Sequence, residues 1–180
     1  NLGNVYRDLN MYEESVAAYN SAIIINPDLD EVYSNHLNNI TNPKSGPADT
    51  YLERGNILRD LRLIDKALAS YERAIQINSN YAEAYSNRGI ALRELNRLDE
   101  AITSYDQAIE INPDYADAHS NRGNVLKELK RFQESLACYE KAIELKPDYV
   151  EAYSNLGILL NELKRQIEKA YNFRCLKHSL

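Results

Sequence analysis

Glycine and proline are scarce in this 180-residue chain, with six and five copies, and cysteine appears only as Cys138 and Cys175. Two cysteines supply neither a disulfide framework nor a metal-ligand spacing, so they read as small apolar packing residues and a reducing compartment is expected. No apolar run approaches the 18 residues a membrane-spanning helix needs, so no membrane partner is expected. A basic excess is missing too: 21 Lys and Arg against 27 Asp and Glu leave a net charge of -6. That balance opposes the footprint of phosphate binding, and nucleic acid is excluded as an expected partner. The glycines never cluster as a phosphate loop would, and His36, His119 and His178 lie far apart. No catalytic constellation, metal site or cofactor is expected, and the chain is not read as an enzyme. It starts without Met and without a charged-then-apolar leader, so it reads as a piece of a longer protein, intracellular and cytoplasmic.

What glycine there is follows a rule. Gly55, Gly89, Gly123 and Gly157 are each 34 residues apart, and Ala82 to Tyr115 aligns without gaps on Ala116 to Tyr149. Within one period, apolar or small residues recur at helical spacing as Tyr85, Gly89, Leu92 and Leu95, then as Leu98, Ala101, Ile102, Tyr105, Ala108 and Ile109. Two helices per unit follow, and a 34-residue helical period predicts an all-α array of tandem helix-turn-helix repeats stacked as a solenoid. Small Gly89, Ala101 and Ala108 set against large Tyr85 and Tyr105 predict close helix contacts. Pro27, Pro113 and Pro147 end the second helices, and Ser79 in that place predicts a softer turn. Asp114 with Asp117, and Asp148 with Glu151, read as capping boxes for the first helices. The expected helices are 48–60, 64–77, 82–94, 98–111, 116–128, 132–145 and 150–163.

The series Tyr85, Gly89, Ala101, Tyr105, Ala108 and Pro113 resembles the tetratricopeptide repeat. It recurs as Tyr51, Gly55, Ala67, Tyr71 and Ala74, as His119, Gly123, Ser135, Tyr139, Ala142 and Pro147, and in part as Gly3, Ser15, Tyr19, Ala22 and Pro27. The resemblance implies a right-handed superhelix whose first helices line a concave groove that holds segments of other proteins.

The period fails between Gly3 and Gly55, which are 52 residues apart instead of 34. Asp30 to Ile40 reads as a first helix followed by TNPKSGP, two prolines and a glycine in a stretch expected to be an irregular hinge at 41–47. Asn39-Ile40-Thr41 matches a glycosylation sequon by chance. After Leu163-Lys164-Arg165 the second-helix pattern degrades to QIEKAYNFRCLKHSL, where Phe173 keeps register with Tyr139 and Ala170 falls one place late. Two readings fit that end, a divergent capping helix or a frayed terminus. The expected divisions are thus a truncated repeat at 1–29, a half repeat and loop at 30–47, three regular units at 48–149, and a final first helix with a divergent capping helix at 150–180.

One feature exceeds what packing requires. Asn1, Asn35, Asn87, Asn121 and Asn155 occupy the sixth place of their units, interrupted by Glu53. Asparagine is a mediocre helix former, and its amide can satisfy both the N–H and the C=O of one residue in an extended peptide. The row reads either as a ladder that grips a peptide backbone or as a relic of duplication. Ser86, Ser120 and Ser154 at the fifth place, Asn124, and Arg93 and Lys127 at the twelfth complete the candidate peptide-binding set. Asp49, Glu83, Asp117 and Glu151 recur at the second place, where such an acidic row disfavours a lysine clamp for a C-terminal carboxylate; these charges read equally as intrahelical pairs. The ladder and the phrase EAYSNLGILLNELKR at 151–165 are similar to the repeat arm of O-linked N-acetylglucosamine transferase-type proteins and bacterial arrays, where such asparagines hold substrate polypeptide. The expected function is a non-catalytic scaffold for protein or peptide. The alternatives are a substrate-recruiting arm of a larger glycosyltransferase-like enzyme and a self-assembly module; the sequence leaves oligomeric state open.

Overall fold

A computed structural model describes residues 47–177 of the chain, with side chains placed for 48–169. Among the described residues all regular structure is helical: α1 Pro47–Asp60, α2 Ile64–Ile77, α3 Ala82–Glu94, α4 Leu98–Ile111, α5 Ala116–Glu128, α6 Phe132–Leu145 and α7 Val150–Lys177. Six of these match the expected ranges to within a residue, and the seventh does not. Two compact units divide the chain between Leu95 and Asn96, inside a repeat and not between repeats. The first contributes α1 to α3 and the second α4 to α7. The half repeat at 30–46 lies outside the described residues. Pro47, expected in its loop, instead opens α1, a place where a missing N–H leaves no helical bond unmade.

The first helices α1, α3 and α5 are each stopped by one residue in the left-handed region: Arg62 at φ 63°, Asn96 at φ 58° and Lys130 at φ 60°. The amide of Leu63 then donates to the Leu58 carbonyl at 2.9 Å, and that of Arg131 to the Leu126 carbonyl at 2.9 Å, the six-to-one closure that satisfies a helix's last carbonyls. Second helices end on extended residues, Asn78 at φ -132°, Asn112 at φ -133° and Lys146 at φ -136°. The residues that precede Ser79, Pro113 and Pro147 thus share one backbone conformation. The capping box expected from Asp114 and Asp117 does not form at α5: the residue before that helix, Tyr115, makes no side-chain cap bond. The turns are instead tied by asparagine. Asn78 Oδ1 accepts from the Asn80 amide at 3.1 Å, and Asn112 Oδ1 from the Asp114 amide at 3.2 Å.

The predicted small-against-large packing is what holds each unit. In the first, Tyr71 is fully buried and lies across Gly55, where an added Cβ would sit 2.6 Å from the ring's Cδ1. Leu52, Leu58, Ala67, Ala74, Ala84 and Ala91 form the core with it. In the second, Tyr139 covers Gly123 in the same way, at 2.7 Å from Cε1 to the position a Cβ would take. Ser135, in the place of Ala67, donates from Oγ to the Gly123 carbonyl at 2.7 Å and pins α6 onto α5. Phe132, Tyr139 and Leu159 then form a core with the half-buried Leu136, Leu156 and Leu163, which seats α7 on α6.

α7 departs from expectation. It was expected to end at residue 163 and give way to a separate capping helix, but it runs for 28 residues as one element. Lys164 occupies the place of Arg62, Asn96 and Lys130 and stays helical. A left-handed residue other than glycine costs about 1–2 kcal/mol, so the turn forms only when the returning helix repays it by packing. Ile64, Leu98 and Phe132 open the second helices of the earlier units, and Ala67, Ala101 and Ser135 follow three places later, each fully buried. At those places the last unit has Gln166 and Lys169. Folding back in register would bury an ammonium group where a methyl or hydroxyl belongs, so the helix continues instead.

Candidate peptide-binding face

The candidate residues sit on first helices, and each unit presents them separately. In the first unit α1 and α3 touch directly, and beside their shared apolar core lies a polar tie. Asn56 Oδ1 accepts from the Tyr71 hydroxyl at 2.9 Å and from Asn87 Nδ2 at 3.0 Å. One acceptor thus ties the buried tyrosine to the half-buried sixth-place asparagine. Burial pushes the Tyr71 phenol up to about 12, so it is a fixed hydroxyl donor at any ordinary pH. Beside it Tyr81 donates to Asp49 Oδ1 at 2.7 Å, and burial together with that bond raises its phenol further. Glu83, on the same face as Glu53 and Asp49, has its carboxyl raised by desolvation first and then by those two neighbouring charges.

In the second unit α5 and α7 carry Asn121 and Asn155. Both are half-buried, and neither amide has a hydrogen-bond partner among the described residues. Lys127 is half-buried on the same helix as Asn121. Nearby, Arg122 donates from Nε to Asp106 Oδ1 at 2.6 Å and from Nη1 to Cys138 Sγ at 3.0 Å. Burial raises the Cys138 thiol more than Arg122 lowers it, which makes this cysteine an inert packing residue. Tyr149 repeats the role of Tyr81: its phenol is raised by burial and then by a hydrogen bond to Asp117. His119 Nε2 lies 3.0 Å from the Pro113 carbonyl, a structural tie across the turn.

Several candidates drop out of the site. Ser86 and Ser120 are 2% and 0% exposed, so the fifth place packs between helices and offers no surface to a ligand. Asn124 is 7% exposed and its Oδ1 accepts the Tyr139 hydroxyl at 2.8 Å, so it serves the core as Asn56 does. Ser154 is exposed on α7, and Arg93 is exposed at the end of α3. Asn35 lies outside the described residues. Two partners escaped sequence reasoning. Asn56 shares the ninth place with Asn124, and Tyr81 shares the thirty-fourth with Tyr115 and Tyr149; both recurrences are visible in the sequence. Their partners are not, because each bond reaches a different helix. The second-place acids are therefore in part hydroxyl acceptors, not a ligand-facing row.

Helix pairs of this length, joined by left-handed turns and packed tyrosine on glycine, match a known profile. The profile of the TPR repeat fits residues 3–35, 55–93, 89–130 and 123–163. The chain belongs to the tetratricopeptide repeat family. Solved TPR structures superpose on it. The first TPR of Spaghetti (RPAP3), bound to an HSP90 peptide SRMEEVD, is 26% identical over 65% of this chain and 93% of its own, with a TM-score of 0.63. YrrB, described as a TPR protein with an unusual peptide-binding site, is 24% identical over 84% of this chain and 87% of its own, at 0.63. MamA is 23% identical over 97% and 91%, at 0.64, and with YrrB supports the fold alone. No curated protein matches the sequence significantly.

Proposed function

We propose that this TPR chain is a non-catalytic scaffold that holds extended polypeptide on its first helices, reading the peptide backbone through sixth-place asparagines. The observation that carries the proposal is the state of Asn121 and Asn155. Two amides at one repeat place on adjacent first helices keep both donor and acceptor uncommitted among the described residues, while the asparagines at the ninth place are consumed by tyrosine. A helix position that pays no packing or bonding debt has its polar capacity available to a ligand. Asn87 retains an acceptor and one donor after its bond to Asn56, and Lys127 supplies a positive charge beside the row. The first TPR of Spaghetti, bound to an HSP90 peptide, favours the same class of partner.

The test is a titration. Peptides selected from a random displayed library against the whole chain are titrated into the parent and into an Asn121→Ala/Asn155→Ala variant. Affinity is expected to fall by about 0.5–1.5 kcal/mol per hydrogen bond lost while the melting temperature holds or rises, since alanine is the better helix former. Unchanged affinity for every selected peptide would return the row to a relic of duplication.

A further inference from the structure

The polar tie between α1 and α3 has a direction, and one buried proton sets it. Tyr71 is fully buried and its phenol stays protonated, with Asn56 the sole hydrogen-bond partner of its hydroxyl among the described residues. That proton needs an acceptor. Asn56 must therefore turn Oδ1 toward it, as it does at 2.9 Å, because Nδ2 in that place would leave a buried O–H without a partner. The same oxygen faces Asn87, so Asn87 in turn presents Nδ2, at 3.0 Å.

One phenol thus orders two amides. An asparagine on a bare helix face exchanges its oxygen and nitrogen by a half-turn about χ2, whose two wells are nearly equivalent. Asn87 does not, since the half-turn would set its oxygen against the Asn56 oxygen, two acceptors with no proton between them. What Asn87 offers outward is a pair of fixed order, Oδ1 on one side and the second N–H on the other, neither engaged among the described residues.

The N–H and C=O of one residue in an extended chain point the same way, the N–H nearer the N-terminal end. A peptide running in one direction brings its N–H to Oδ1 and its C=O to Nδ2. Running in the other, it brings acceptor to acceptor and donor to donor. The second unit repeats the first step of this ordering and omits the second. Tyr139 donates to Asn124 Oδ1 at 2.8 Å, but Asn155, the counterpart of Asn87, makes no bond to that oxygen and keeps both ends free to turn. Its amide takes a main chain in either direction, whereas that of Asn87 takes one.

We propose that Asn56 is a positioning residue: held by Tyr71, it locks the Asn87 amide and so fixes the N-to-C direction in which a peptide lies across α1 and α3. This inference rests on the backbone-reading proposal and adds a polarity to it.

Paramagnetic labels read the direction. One library-selected peptide is made with a nitroxide at its N-terminal end and, separately, at its C-terminal end, and each form is added to the isotope-labelled whole chain. In the parent, one end should broaden the amide signals of α1 and the other should leave them sharp. Asn56→Leu removes the acceptor, and Tyr71→Phe keeps the buried ring while removing the proton that orders the pair; with either variant both ends should broaden α1. Asn56→Asp fills the same space as Asn56→Leu but offers oxygen to both donors, so it should keep the one-ended pattern, a rescue that a space-filling role does not explain. A two-ended pattern in the parent, or a one-ended pattern that survives both Asn56→Leu and Tyr71→Phe, would overturn the proposal. Asn87→Ala separates its failure from that of the reading beneath it. Affinity about two- to tenfold weaker in Asn87→Ala, with a direction indifferent to Asn56 and Tyr71, would refute the positioning role alone. Affinity unchanged when Asn87, Asn121 and Asn155 are all replaced by Ala would refute both.

Discussion

A glycine under a tyrosine ring is the residue-scale signature of this chain, and it yields a contrast. Tyr71 and Tyr139 are fully buried and their hydroxyls are held by Asn56 and Asn124, so neither ring can swing away from a new methyl group. Gly123→Ala is expected to destabilise by about 1–3 kcal/mol in chemical unfolding, overpacking outweighing the gain in helix propensity. Gly157→Ala has open space in its own chain, so it should leave the stability of the single chain unchanged or slightly higher. Asn124→Ala should cost about 1–3 kcal/mol by leaving the buried Tyr139 hydroxyl without its acceptor, whereas Asn121→Ala should cost nothing. Charge acts on the same scale. Glu83 has a folded-state carboxyl raised by burial and by Glu53 and Asp49, so its ionised form opposes folding above that raised value, and the penalty lifts as pH falls through it. Glu83→Gln should therefore raise the melting temperature at neutral pH and lose this advantage in mild acid, with a small amplitude because the side chain is partly exposed.

Helices were the legible level of the sequence. Their period, set by Gly55, Gly89, Gly123 and Gly157 and by Tyr71, Tyr105 and Tyr139, located α1 to α6 because packing repeats whenever the sequence does. The length of α7 was not legible, and the reason is physical. Leu163-Lys164-Arg165 carries the same turn phrase as Leu129-Lys130-Arg131, yet a left-handed residue is stable only against a returning helix, and Gln166 and Lys169 remove that return. The candidate site was legible in part for a related reason. A 34-residue recurrence marks any residue that faces a neighbour, so it could not separate the packed Ser86, Ser120 and Asn124 from the uncommitted Asn121 and Asn155. The element-scale expectation concerns exchange. Amides of residues 164–169 should exchange far faster than those of α5 and α6, since no side chain there is buried. Equal protection of residues 164–169 and of α5 would contradict the packing described.

At the scale of the whole molecule, a tetratricopeptide chain distributes its function over repeated places and not into one pocket. Tyrosine hydroxyls engage Asp49 and Asp117, and the sixth-place amides that remain for a ligand carry no charge. Recognition through asparagine amides should consequently vary little with salt, changing only a few-fold between about 0.05 M and 0.5 M, where exposed ion pairs would be strongly screened. The most direct measurement of backbone reading is a methylation scan of one library-selected peptide, in which each backbone N–H is replaced in turn by N–CH3 and each side chain, separately, by alanine. If sixth-place asparagines grip the main chain, N-methylation at residues spaced to meet successive repeats should abolish binding to the parent and change little in the Asn121→Ala/Asn155→Ala variant, with alanine substitutions tolerated at the same residues. Affinity that followed the side chains and ignored N-methylation would contradict the account.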